Sequence, residues 1–352
     1  MKRKSAVLVA YREPGYMEEN VKRLLNEGFE VVVAVDEPND EILRIIRKYG
    51  LKATLSDKRR GKWRALNDAV ELTTGEYILF LDSDTRIIEL DGFDEFDAVE
   101  IRKEANASSI IERLTNIDYF NMFLTAKLAS KFNSCLSLNG SAFVIRRDVL
   151  LKLGGFRRRI NEDTDLGIRL GLNGYRVRVC GRAITKAPSS LKEWLIQRER
   201  WSLGGAEVVV DNFWKLIGKP RLWLPYLFMF YPAIVGFTLN MVLPDGIILK
   251  LLYFILPLLL FVPSKILCFV LLAIFGLHIL KNLVAILVSF LIWAVTIAIL
   301  SKIEKYKIDF KLLPICYFIY SPLWTILCII ALVRVAVHRL IDREIKVKGW
   351  KI

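Results

Sequence analysis

The sequence predicts an α/β domain built on a Rossmann-like, mostly parallel sheet, followed by an α-helical region apolar enough to enter a membrane. Three observations carry this. Short β-branched runs alternate with helical stretches over the first 82 residues, the pattern of right-handed crossovers in a doubly wound sheet. Two of those runs end on acids, Asp36 and Asp82, and ligands of such sheets bind outside the carboxyl ends of the strands. From Arg221 onward the chain is mostly apolar blocks, whereas before it charged and apolar residues mix.

Taken in order, residues 5–11 read as a first strand, 16–26 as a helix stopped by Gly28, and 29–36 as a second strand. Pro38, Asn39 and Asp40 make a turn, with Asp40 read as the cap of a helix over 41–49. LKATLS is a third strand, and 62–72 a third helix. YILFLDSDTR (77–86) is a short apolar run, as a buried parallel strand requires, that ends in Asp82-Ser83-Asp84. Further on, 98–104 reads as a strand and 110–132 as a helix with an apolar stripe. Residues 138–156 read as turn, strand, helix and a Gly-Gly stop.

Composition narrows the class. Of 352 residues, 54% are hydrophobic, and the mean hydropathy is +0.36, high for a soluble chain. The net charge is +14, and residues 221–352 hold 14 Lys+Arg against 5 Asp+Glu. Basic loops beside apolar spans point to anionic lipid headgroups and a cytoplasmic face. No nucleic-acid motif accompanies the charge, so nucleic acid is excluded as a partner. Five cysteines without a CxxC pair read as free thiols. The basic start and the short apolar run after it are too brief for an export signal and read as the first strand. The apolar blocks 222–243, 246–262, 266–300 and 312–338 suggest about four spans. The expected organisation is a catalytic domain over 1–190, an amphipathic interfacial segment over 191–220 and a membrane region over 221–352, giving a multi-pass protein of the cell membrane.

The chemistry-bearing residues sit at the same sheet edge. Two carboxylates one residue apart, Asp82 and Asp84, repel unless a cation lies between them, and oxygen ligands suit Mg²⁺ or Mn²⁺. KRRGK (58–62) places four cations around a glycine at a strand-to-helix turn, an anion site or a solvated basic loop. Asp36 is placed for a base or ribose. Glu162, Asp163 and Asp165 open a helix, where acids either serve its dipole or supply a general base. In LKEWLIQRERWSL, Gln197, Arg200 and Trp201 share one helical face with Trp194. Arg and Gln can grip phosphate there, and the two indoles offer platforms for sugar rings or sit at headgroup level.

The ordered set Asp36, RRGKWRALN, LFLDSDT, GGF…NEDTDLGIRLGLNGYRV and QRERW resembles family 2 inverting glycosyltransferases of the QxxRW branch. That branch includes cellulose, chitin and hyaluronan synthases, and ceramide glucosyltransferases look similar. The resemblance covers roughly residues 5–205. It implies a GT-A fold, a nucleotide-sugar donor, expected to be a UDP-sugar, and a divalent metal. By that resemblance Asp36 contacts the nucleobase, Lys62 the phosphates, and Asp82 and Asp84 form the DxD pair with Asp84 on the metal. Asp163 matches the catalytic base with Glu162 beside it, and Gln197, Arg200 and Trp201 hold the diphosphate and the acceptor side. The acceptor is a growing polysaccharide or a lipid. Where many relatives read Thr-Glu-x-Pro, this chain has Thr185-Lys186-Ala187-Pro188, and it lacks helices before the catalytic domain. Both departures favour single transfer to a glycolipid or polyprenyl phosphate as the alternative. A non-catalytic membrane scaffold and a nucleotidyltransferase stand further off.

Overall fold

The computed structural model describes residues 3–242 and 279–341, with isolated positions between 250 and 271. By compactness the described chain falls into two units. One runs to Tyr226 and takes in the chain from Phe318 onward; the other is Leu227–Tyr317.

In the first unit the chain begins β1 (Lys4–Tyr11), α1 (Met17–Asn26), β2 (Glu30–Asp36), α2 (Asp40–Tyr49), β3 (Lys52–Ser56), α3 (Lys62–Glu71) and β4 (Tyr77–Asp82). It continues with β5 (Thr85–Glu89), β6 (Ala98–Ala105), α4 (Ile110–Lys131), β7 (Ala142–Arg146), α5 (Arg147–Lys152), α6 (Glu162–Leu172) and β8 (Val177–Thr185). After these come α7 (Leu191–Asp211), α8 (Phe213–Ile217) and α9 (Pro220–Trp223).

One sheet of eight strands holds the unit together, in the order β3-β2-β1-β4-β7-β6-β8-β5. β3, β2, β1 and β4 are parallel neighbours, as expected. β7 runs antiparallel to β4 and β6, and β5 antiparallel to β8, so the sheet is mixed. The strands are apolar on both faces because helices cover both. Tyr77, Leu79 and Leu81 of β4 join the core shared with α1 and α2, while Ile78 and Phe80 join the opposite core with α3. β2 divides in the same way, Val31, Val33 and Val35 from Val32 and Ala34. Each such side chain, fully buried, contributes about 1.5–3 kcal/mol.

Two strands lie outside the sequence reading. β5 is a five-residue edge strand, and β8 (VRVCGRAIT) interleaves arginines and Gly181 with its apolar residues. Neither offers the apolar run or strict alternation that marks a strand. Another correction concerns α2, whose cap is Asn39, not Asp40: the Asn39 side chain accepts from the Ile42 amide at 2.9 Å. All five cysteines are free.

In the second unit, α10 (Tyr231–Val242) packs on α11 (Ile279–Ile303), with Asn240 donating to Asn282. Trp293 and Phe290 gather on Tyr317, whose hydroxyl lies 2.9 Å from Ser289 Oγ. Two helical stretches, Lys281–Ile303 and Phe310–Leu340, are long and apolar enough to cross a membrane. The expected block 246–262 and the start of 266–300 fall largely outside the described residues. The last helix, α12 (Ser321–Leu340), belongs to the first unit and lies along α7, where Ala331 and Val335 meet Leu203 and Ala206.

Candidate active site

The site forms where β2, β4 and the turn before β7 end on one side of the sheet. The Asp82-Ser83-Asp84 turn is fixed from two directions. Ser83 donates its amide to Val9 O at 2.9 Å and accepts from Tyr16 N at 2.7 Å. Gly15, at φ +51°, makes that approach possible: a Cβ there would stand 2.3 Å from Ser83 O. On the other side the Lys186 amide donates to Asp84 O at 3.2 Å, and Thr85 Oγ1 lies 2.9 Å from Thr185 Oγ1.

Lys62 is the hub. It starts α3 just after Gly61, whose φ of +102° turns the basic loop into the helix. Its Nζ is 2.7 Å from Asp82 Oδ1, 3.2 Å from Gly140 O and 3.5 Å from Glu162 Oε1. Burial alone lowers an ammonium pKa, but Asp82, Glu162 and Asp163 more than reverse that and hold Lys62 above its usual value. Glu162, 6% exposed, is raised by burial and by Asp163, against the pull of Lys62. Asp163 stands beside it at the start of α6, its Oδ1 accepting from the Thr164 amide at 2.7 Å. Its other oxygen lies against Gly140 so closely that a Cβ there would be 2.1 Å away. Lys62, Asp82, Glu162, Asp163 and Gly140 therefore form one cluster.

Asp84 opens to solvent on the rim, yet burial of its carboxyl and then the Asp82 charge raise its pKa. Thr85 Oγ1 donates to it at 3.1 Å, and the Lys62 and Lys186 charges partly offset the rise. A carboxylate held in this way favours an added cation. Among the described residues no three His, Cys, Asp or Glu side chains gather as a metal cage. Two carboxylates one residue apart at a strand end suit a hard divalent ion that takes its other ligands from phosphate and water.

Asp36 is 6% exposed and engaged by the basic loop: it accepts from the Arg60 amide at 2.7 Å and from Arg60 Nε at 3.2 Å. Arg60 also reaches Asp68 at 2.7 Å, so one cation of KRRGK is spent inside the fold.

The far wall is aromatic. Burial raises the pKa of the Tyr119 phenol of α4, Arg198 opposes the rise, and the Asp118 and Asp84 charges add to it. Tyr119 and Trp201 lie 6.4 Å apart, and Lys103 Nζ sits against both, 4.4 and 4.7 Å from the ring centres. Burial, then Arg198, lowers Lys103 to about 8, although Glu100, Asp163 and Asp118 pull it upward. Burial raises Glu100 to about 7, against the pull of Lys103. Arg200 is half-buried next to Trp201. Trp194 is no exposed platform: it is 1% exposed and packs on Tyr320 at 5.0 Å.

Lys103, Tyr119, Gly140 and Arg198 escaped the sequence reading. Arg198 stood in plain view inside QRERW, but the helical-face argument selected Gln197, Arg200 and Trp201 instead. At i+4 from Trp194 and three before Trp201, Arg198 lies on the same helical face as those indoles, a spacing that could have included it.

A Rossmann-like sheet with acids, a lysine and a basic loop at its carboxyl edge is a frame suited to a phosphate-bearing ligand. The chain belongs to glycosyl transferase family group 2, whose sequence profile matches residues 77–337; that of glycosyl transferase family 2 matches residues 5–89. It is 26% identical to YdaM of Bacillus subtilis strain 168, described as a probable glycosyltransferase, over 97% of this chain and 85% of that one. It is 26% identical to the poly-beta-1,6-N-acetyl-D-glucosamine synthase of Staphylococcus epidermidis over 64% of this chain, spanning 60% of that synthase. The fold is similar to that of the mannosyltransferase PcManGT from Pyrobaculum calidifontis, solved with GDP-Man and Mn²⁺. The TM-score is 0.51 and the identity 19%, covering 97% of this chain and 88% of that one.

Proposed function

We propose that this glycosyltransferase is a membrane enzyme of the DxD/QxxRW branch. It moves a sugar, with inversion, from a nucleotide-diphosphate sugar to a hydroxyl of a growing polysaccharide or a lipid. The supporting observation is the contact of Lys62 with both Asp82 and Glu162, which puts the phosphate side and the Asp163 side in one crevice.

Asp36 and the loop after it receive the nucleobase. Lys62 stabilises the departing diphosphate charge, in a site where that charge is partly shielded from water. Asp163, on the acceptor side of Gly140, takes the proton of the attacking hydroxyl, and Glu162 keeps Lys62 turned toward the crevice. Gln197 and Arg200 hold the diphosphate, and Trp201 closes the acceptor side. Asp82 and Asp84 would hold Mg²⁺ or Mn²⁺, which when bound draws charge off the diphosphate leaving group. The two long apolar helices anchor the site at the cytosolic face of the cell membrane. A relative that makes a polysaccharide favours the polymer acceptor.

The test is a donor panel on membranes carrying the full chain. UDP-sugars and GDP-mannose are supplied with Mn²⁺ or Mg²⁺, and nucleoside diphosphate release and product size are read. Release with a ladder of products supports the polymer, and one added sugar supports the lipid. No release from any donor overturns the reading.

A further inference from the structure

Arg198 has no solvent exposure and lies at the meeting of three helices. Its Nη2 is 2.8 Å from Asp118 Oδ2 of α4 and donates to the Tyr320 hydroxyl, just before α12, at 3.0 Å. Nε and Nη1 have no hydrogen-bond partner among the described residues. The guanidinium lies instead over aromatic rings: Trp324 at 4.2 Å, Trp201 at 4.5 Å and Trp194 at 5.9 Å. The Tyr320 hydroxyl in turn donates to Thr115 Oγ1 of α4 at 3.4 Å.

A buried ion pair is a weak device for stability, since apolar residues of similar volume usually do as well. What this one supplies is direction. A guanidinium fixes the planes stacked on it and the angles of its donors. Of the groups it fixes, Trp324 belongs to the C-terminal apolar helix, Tyr320 caps that helix, and a third is Trp201. A shift of the C-terminal helix therefore reaches Trp201 through a single side chain.

We propose that Arg198 is a positioning residue for transfer: it sets the place of Trp201 against the C-terminal helix, so that acceptor-side geometry depends on that helix. This rests on the acceptor side of the proposed reaction lying at Trp201. The donor side, from Asp36 to Asp84, does not touch Arg198.

The experiment uses the full chain in detergent with UDP-N-acetylglucosamine and GDP-mannose as donors. Water, N-acetylglucosamine oligomers and phytanyl phosphate vesicles serve as acceptors. The charge-free pair R198M/D118N removes both ions at once, Y320F removes only the hydroxyl, and R198K keeps the charge without the planar fork. The expected result is a pair variant that melts within a few degrees of the parent and keeps its donor KM within about twofold. Its kcat falls at least about tenfold, the size of loss that small misplacements cause. Y320F shares the direction of that loss, and R198K recovers part of it. A folded pair variant with parental kcat, or Y320F with parental kcat, overturns the positioning role. So does a proportional fall in donor binding and turnover, which would mark Arg198 as structural. Should the parent release no nucleoside diphosphate from either donor, the failure belongs to the proposed reaction instead.

Discussion

The donor side and the aromatic side of the site carry similar charges but treat them differently. On the donor wall Lys62 and Asp82 keep 21% and 29% of their side chains exposed, and Asp84 stands on the rim with a raised pKa. On the aromatic wall Arg198 is wholly enclosed, its charge met by Asp118, a phenol and three indoles. Open charges can exchange partners when a diphosphate and a cation arrive. Enclosed charges cannot, because separating them inside the fold is costly. One wall is thus built to receive a ligand and the other to hold a shape. Gly140 and Asp163 lie at their junction.

Variants at that junction should be felt most. Asp163→Asn keeps the packing and removes the base, so kcat is expected to fall by about 10³-fold with little change in donor KM, read from initial rates of nucleoside diphosphate release. Gly140→Ala should follow, since its new methyl would stand 2.1 Å from Asp163 Oδ2. The carboxylate must move, and a loss of about 10²-fold in kcat is expected while circular dichroism stays unchanged.

The single change Arg198→Met sharpens the contrast in another quantity. It leaves Asp118 buried and unpaired, at an expected cost of about 3–5 kcal/mol in stability, read from denaturant midpoints in detergent. Lys62→Met takes the cation from a half-exposed Asp82, which can hydrate, and from the buried Glu162, so a smaller but measurable loss is expected by the same measure.

Lys103 gives a pH signature. Burial and Arg198 lower its pKa to about 8, so the ammonium is present below that pH and lost above it. Transfer to an added acceptor is expected to decline as pH rises through about 8. Lys103→Arg, with a guanidinium that stays charged, should remove the decline. The smallest effect is Gly205→Ala, within α7. A Cβ there meets nothing within 4 Å, so about 1 kcal/mol of stability should be gained with transfer unchanged, as thermal melts and rates would show.

Much of the donor half was legible because its information is local. YILFL and EVVVAV are runs whose alternate residues feed two cores, and a helix follows each of the first three strands. β5 and β8 were not legible, because pairing with partner strands, rather than their own pattern, makes them strands. Trp194 looked like a platform from helical spacing alone, and only the arrival of Tyr320 shows it to be filled space. Gly140 carries no local mark of its role, which arises from a carboxylate 23 residues further along the chain.

By itself the sequence determined the alternation of strands and helices, the acids and lysine at one sheet edge, and an apolar C-terminal third. Periodicity and composition act over a few residues, and those features need no more. Only the tertiary structure decided that Arg198 would be enclosed and that Lys103 would rest on Trp201. It also decided that the last helix would join the first unit. Each depends on which distant side chain supplies the opposing charge or ring, and that is settled when the core closes.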